Sequence, residues 1–201
     1  MIPFDSEPAG GLPAGFTAAE TNGAGKPATW KITADDTAPS KPNVVAVTEN
    51  TNDPSTFNLL VANQPVMVDV DTSAKVKVTG GADGTGAGLI WRYQDAGNYY
   101  VAAYNKGENT LDVWRVKDGK RKRLGTGVAE DKAGSGPWHE IRVEMKGDRL
   151  TAYLDGKKMV GERDFTFAEP GRIGFWVSGD TVAGFDDLTL ADAGVSTAGQ
   201  R

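Results

Sequence analysis

No cysteine occurs among the 201 residues, and histidine occurs once, at His139. The first absence excludes disulfides, thiolate nucleophiles and cysteine-based zinc sites. It does not fix the compartment, because oxidising space permits disulfides without requiring them. A single imidazole leaves a catalytic zinc short of ligands, and no Gly-x-Ser-x-Gly elbow is present for serine chemistry. Apolar residues make up only 39% of the chain. Two packed sheets tolerate that, since each strand buries only alternate side chains. No apolar run approaches the ~20 residues of a membrane helix. Met1-Ile2-Pro3-Phe4 has neither a charged n-region nor an apolar h-region, so a signal peptide is not expected in this chain. Positive charge is also short, with 22 Lys and Arg against 27 Asp and Glu and a net charge of −5. That argues against a nucleic-acid partner, which demands a basic surface. The basic run Lys117 to Arg123 reads as a solvated hairpin tip around Asp118-Gly119.

Glycine is plentiful at 26 and proline stands at 10, spaced as turns rather than gathered in a linker. One domain over 1–190 with a flexible tail over 191–201 is expected. The most telling stretch is Pro137 to Gly156. His139, Ile141, Val143 and Met145 share one parity, and Glu140, Arg142, Glu144 and Lys146 the other. That is the period of a strand with one buried and one wet face. Gly147-Asp148 breaks it, Leu150, Ala152 and Leu154 repeat it, and Asp155-Gly156 suits a tight turn. Val66 to Val78 alternates in the same way. Further strands are expected near Phe4-Asp5, at Trp30–Ile32, Asn43–Thr48, Thr56–Val61, Leu89–Tyr93, Tyr99–Tyr104 and Leu111–Val116, near Arg123, and at Arg172–Ser178 and Phe185–Leu190. Residues 80–88 read as a glycine-rich hairpin loop, without the Gly-Lys-Ser/Thr of a nucleotide cradle. The spacing predicts an all-β chain, a two-sheet antiparallel jelly roll with no long helix.

Trp138-His139 opening the hairpin, Tyr153-Leu154-Asp155-Gly156 closing it, and the stretches Gly88 to Asn105 and Gly171 to Leu190 carry a family resemblance. The chain resembles laminin-G-like, concanavalin A-like sandwich domains, and in particular secreted bacterial domains of the 3-keto-disaccharide hydrolase type. The resemblance implies an extracellular or periplasmic setting. It leaves function open among lectins, glycosidases and adhesion modules.

Glycosidases on this sandwich use a Glu-x-Asp-x-Glu strand, which puts their carboxylates on one face. Glu140 and Glu144 share a face but enclose Arg142, so an exposed ion-paired row is expected instead. His139 sits on the apolar parity and reads as structural. The resemblance implies a structural calcium where related sandwiches hold one, at Asp186 with Asp5 approaching from the first strand. Hydrogen bonding of Asp186 to loop amides is the competing expectation. Leu89, Trp91 and Tyr93 share a parity that reads as core, which leaves Arg92 pointing outward. The resemblance matches Arg92, Asn98, Asn105 and Glu108 to positions frequent in the family. The aromatic ring of Tyr100 or Tyr104 on the adjoining strand is the expected stacking platform, since sugars stack their C–H faces on such rings. Related sequences often carry arginine where this one has Ala103. The expectation is an exported sandwich that binds carbohydrate on one concave sheet without catalysis. The alternatives are a glycan-processing enzyme of the 3-keto-disaccharide hydrolase type and a structural or adhesion module with a protein partner.

Overall fold

The computed structural model describes residues 2, 4–23, 26–81, 86–129 and 137–191. Of the expected C-terminal tail, residues 192–201 lie outside the described residues, as does the middle of the 80–88 loop, while Ala191 ends a strand. The elements are β1 (Phe16–Thr21), β2 (Thr29–Ala34), β3 (Asn43–Glu49), β4 (Phe57–Ala62), β5 (Val70–Gly80), β6 (Gly86–Asp95) and β7 (Asn98–Asn105). They continue as β8 (Thr110–Lys117), β9 (Lys120–Val128), β10 (His139–Lys146), β11 (Arg149–Leu154), β12 (Lys157–Arg163), β13 (Arg172–Ser178) and β14 (Val182–Ala191). Among the described residues no helix is long and apolar enough to cross a membrane. The strands form two antiparallel seven-stranded sheets, ordered β1-β4-β13-β6-β7-β8-β9 and β12-β11-β10-β5-β14-β3-β2. The molecule is an all-β jelly-roll sandwich, as the alternation predicts.

The hairpin forms in the expected register, with Ile141 opposite Leu154, Val143 opposite Ala152 and Met145 opposite Leu150. Its apolar row meets that of β5, so that Ile141, Val143, Met145, Ala74 and Val76 all lie in one core. Facing them from the first sheet are Leu89, Trp91, Tyr100, Ala102, Phe175 and Val177. Trp91 stacks on Tyr100 with centroids 5.5 Å apart, and Phe175 stacks on Phe185 across the two sheets at 4.5 Å. The charged parity of the second sheet lies outside and pairs in a ladder. Lys75 meets Glu140 at 3.0 Å, and Arg142 bridges Asp71 and Glu144. That is the ion-paired row expected in place of a catalytic carboxylate pair.

Several boundaries differ from the sequence reading. Phe4-Asp5 is not a strand, although Phe4 is buried in the core; Ile2 makes only an isolated bridge to Leu188. The first strand is β1, whose burial has no clear alternation. β5 begins at Val70, leaving Val66 and Val68 exposed. Gly86 and Gly88, expected in a turn, belong to β6, and β9 is a full strand.

The outer face of the first sheet is also apolar. Leu59, Ile90, Tyr99, Val101, Val116 and Trp176 form a second buried cluster there. A sandwich needs only one packed face per sheet, so this second cluster marks the face that differs from an ordinary solvated surface.

Candidate functional site

The outer cluster is not level. One transverse row runs Trp176, Gly88, Ala103, Asp112 through directly paired positions of β13, β6, β7 and β8. The next row places Gly86 opposite Asn105. Gly88 and Ala103 thus stand between Trp176 and Asp112, and over Ala103 and the neighbouring Gly86 lies a cleft of about 230 Å³. Gly88 cannot be enlarged cheaply, because a Cβ there would lie 1.9 Å from the Ala102 carbonyl oxygen. The cleft is smaller than the ~300–1,000 Å³ of drug-sized ligand pockets. Its walls carry Asn105, Glu108, Asp112, Trp114, Arg121 and Arg123, with Ser178 beside Trp176.

The polar groups are held from different directions. Asn105 Oδ1 accepts from the backbone amides of Gly107 and Glu108, which fixes the β7–β8 turn. Asp112 is 7% exposed. Its Oδ2 accepts from the Thr110 hydroxyl at 3.3 Å. Its Oδ1 is buried without a hydrogen-bond partner, and the nearest cation, Arg123 Nη1, stands 3.6 Å away. An acceptor left like this costs on the order of 1–3 kcal/mol or more for a charged group. Trp114 is half-buried, with the guanidinium groups of Arg121 and Arg123 over its ring at 4.5 and 5.2 Å. Arg121 also lies over Phe57 at 4.7 Å. Burial pushes the Arg121 pKa down, with the Tyr99 hydroxyl and Asp112 acting against it; a guanidinium stays charged regardless.

Of the residues singled out in the sequence, Asn105 and Glu108 reach this cleft and the others do not. Arg92 is 1% exposed, not outward-facing. Its Nε donates to Val68 O at 2.7 Å, Nη1 to Phe167 O at 2.8 Å and Nη2 to Gly147 O at 2.7 Å, with Asp69 at 3.6 Å. The cause is a bulge: Arg92 has φ 45°, and the β6–β7 register shifts between Trp91 and Asp95. An extra residue of this kind reverses every parity beyond it. Tyr93, expected in the inner core, accordingly packs in the outer cluster. Tyr100 and Tyr104 are inner-core residues rather than stacking platforms. The Tyr100 hydroxyl donates to Asp164 Oδ1 at 2.6 Å and that of Tyr104 to Asn109 at 3.2 Å. Asn98 ties the β6–β7 turn to the β8–β9 turn, donating to Asp95 and accepting from the Asp118 amide; it stands at the opposite end of β7 from Asn105. His139 is structural, with Nδ1 2.9 Å from Asp155 and its ring 4.6 Å from that of Tyr104.

The calcium expectation fails the fit test. Asp186 is fully buried, and its oxygens accept from the Ser40 amide and hydroxyl, both at 2.9 Å, and from the Asp187 amide at 2.8 Å. Asp5 Oδ1 accepts from the Asn43 amide. Among the described residues no group of three or more His, Cys, Asp or Glu could hold a metal ion. The loop-amide alternative describes what is present. Here too a bulge intervened, since Asp187 has φ 50° and the register shifts after Asp186.

Asp112, Arg121, Arg123 and Trp176 escaped the sequence reading. The signal was there. Arg121 and Arg123 alternate along β9 opposite Val116 and Trp114 of β8, which places all of them on the face of Asp112. A run of basic residues conceals that alternation when it is taken as a hairpin tip.

Comparison with solved structures agrees on the fold. The carbohydrate-binding module CBM66 from Bacillus subtilis superposes with a TM-score of 0.67 at 17% identity, over 89% of this chain and 96% of that one. A Bacillus subtilis protein of unknown function with a galectin-like fold gives 0.61 at 9% identity, over 88% and 89%. The exoplasmic/lumenal domain of VIP36, solved with Ca²⁺ and Man3GlcNAc, gives 0.58 at 13% identity, over 89% and 83%. No curated protein matches the chain. A family model does, across residues 18–191, and the chain therefore belongs to the family of 3-keto-alpha-glucoside-1,2-lyase-like domains.

Proposed function

We propose that this protein binds carbohydrate in the cleft on the outer face of its first sheet, without turnover of its own. The observation that carries the proposal is the buried Oδ1 of Asp112, which has Arg123 at 3.6 Å but no hydrogen-bond donor among the described residues, beside the half-buried ring of Trp114. A sugar offers hydroxyl donors for the first and C–H groups for the part of the second that Arg121 and Arg123 leave uncovered. The small cleft volume, about 230 Å³, suits one sugar ring better than a long segment of chain. The structural likeness to a carbohydrate-binding module and to the VIP36 domain solved with Man3GlcNAc supports the same reading. An exported protein, extracellular or periplasmic, accords with such a ligand. His139, bonded to Asp155 and packed on Tyr104, is not among the cleft residues and so supplies no imidazole base there.

A glycan array tests the proposal. Hits are expected for the native protein, weakened about tenfold or more by Asp112→Asn and Trp114→Ala, and unchanged by Asn98→Ala, which lies away from the cleft. Binding that survives both cleft variants would refute the assignment. The family match supplies the second reading, a lyase, with Glu108 and Asp112 as the carboxylates at hand. Turnover of 3-keto-glucosides that disappears in Glu108→Gln would put that reading in place of binding alone.

A further inference from the structure

The cleft is polarised along β8. Asn105, Glu108 and Asp112 stand toward the β7–β8 turn, while Arg123 and then Arg121 stand opposite Trp114 and Val116, toward the Asp118-Gly119 turn. Asp112 and Val116 are separated by about 13 Å of strand. The two cations are not equivalent. Arg123 has Asp112 at 3.6 Å. Arg121 has no carboxylate within salt-bridge distance and no hydrogen-bond acceptor among the described residues; the rings of Phe57 and Trp114 hold it, at 4.7 and 4.5 Å. Stacking fixes the guanidinium plane and leaves its edge N–H groups free, in the fork that matches a carboxylate. At the other end, Asp112 is more than nine-tenths buried and its Oδ1 lacks a donor.

From this polarity we infer that the ligand is an acidic sugar, a uronate whose carboxylate sits on Arg121 while a ring hydroxyl donates to Asp112. The inference rests on the carbohydrate reading above. A neutral sugar meets Asp112 and leaves the stacked guanidinium to solvent. A free inorganic anion meets Arg121 but brings no hydroxyl to Asp112. The carboxylates of Glu108 and Asp112 set the orientation, because an anionic substituent at their end would be repelled.

Titration calorimetry on the full chain decides the matter, with the methyl glycosides of glucuronate and galacturonate set against those of glucose and galactose. At low salt the uronates should bind about tenfold tighter, with the margin shrinking as salt screens it. Arg121→Gln should abolish the margin, bringing the uronates down to the affinity of the neutral sugars measured on the same variant. Arg121→Lys, which keeps the charge without the planar fork, should retain part of it, and thermal melts of both variants report on folding. If Arg121→Gln does not fold, the salt dependence and Arg121→Lys carry the test. Neutral sugars binding as tightly as uronates, or sulfated sugars binding tighter, would overturn the inference and leave the carbohydrate reading standing. Failure of every sugar to bind would overturn both.

Discussion

Arg92 carries a full charge into the interior and spends its donors on three backbone carbonyls from separate segments, those of Val68, Gly147 and Phe167. It works as a clamp between the start of β5, the β10–β11 turn and the segment before β13. Removing one partner from a buried charged network costs about 3–5 kcal/mol, a large part of the ~5–15 kcal/mol that a domain has. Arg92→Ala is therefore expected to lower urea stability by that amount, and Arg92→Lys to recover little, because one ammonium cannot reach three carbonyls set around a fork. Loss of sugar binding with unchanged stability would contradict this and return Arg92 to the ligand. Counting parity along the strand could not have found the clamp. The count assumes an unbroken period of two, and the bulge at Arg92 breaks it with a non-glycine residue at φ 45°. Nothing in the residues flanking Arg92 announces such a bend, since the fork and its three carbonyls meet only through tertiary packing. Alternation did place Ile141, Val143 and Met145 correctly, because β10 pairs with both neighbours without a shift.

β14 shows the same effect at the scale of an element. It enters the core through Phe185, turns Asp186 under the loop at Ser40, and resumes with Leu188 in the core after a bulge at Asp187. Burial and the neighbouring Asp186 charge push the Asp187 carboxyl above its ordinary range, with Ser40 and Lys75 opposing and Asp5 reinforcing the shift. A carboxyl raised in the folded state contributes most below its unfolded pKa of about 3.8, and that contribution is lost as pH rises through the folded value. At neutral pH its charge is thus a cost. Asp187→Asn removes the charge, and asparagine tolerates positive φ. The expected outcome is a small gain in thermal stability at pH 7, up to about 0.5 kcal/mol, fading as pH falls toward 4. Calcium and chelator should give indistinguishable melts of the native protein, whereas a ligand of the folded state would raise the transition. A calcium-dependent rise would restore a metal to Asp5 and Asp186. Elements with a regular period were legible in the sequence. β1, with its interior half-exposed, gave no pattern to read.

Across the whole molecule the two outer faces are built differently. That of the second sheet is a ladder of exposed ion pairs, of a kind worth about 0–1 kcal/mol each. That of the first sheet is an apolar floor with a cleft where glycine and alanine replace larger side chains, ringed by Asp112, Trp114, Arg121 and Trp176. The sandwich itself could be read from alternation and turn residues. The cleft could not, because its walls come from β13, β6, β7, β8 and β9, and only strand order places Trp176 in a row with Asp112. The chain has tryptophans at Trp30, Trp91, Trp114, Trp138 and Trp176, spread over core, cleft and the far face, so their indole N–H resonances report separately on each region. Titrating isotopically labelled protein with its tightest-binding glycan should move the signals of Trp114 and Trp176 and leave those of Trp30, Trp91 and Trp138 in place. Movement confined to Trp30, Trp91 or Trp138, or none at a saturating concentration, would show that the sugar site is not this cleft.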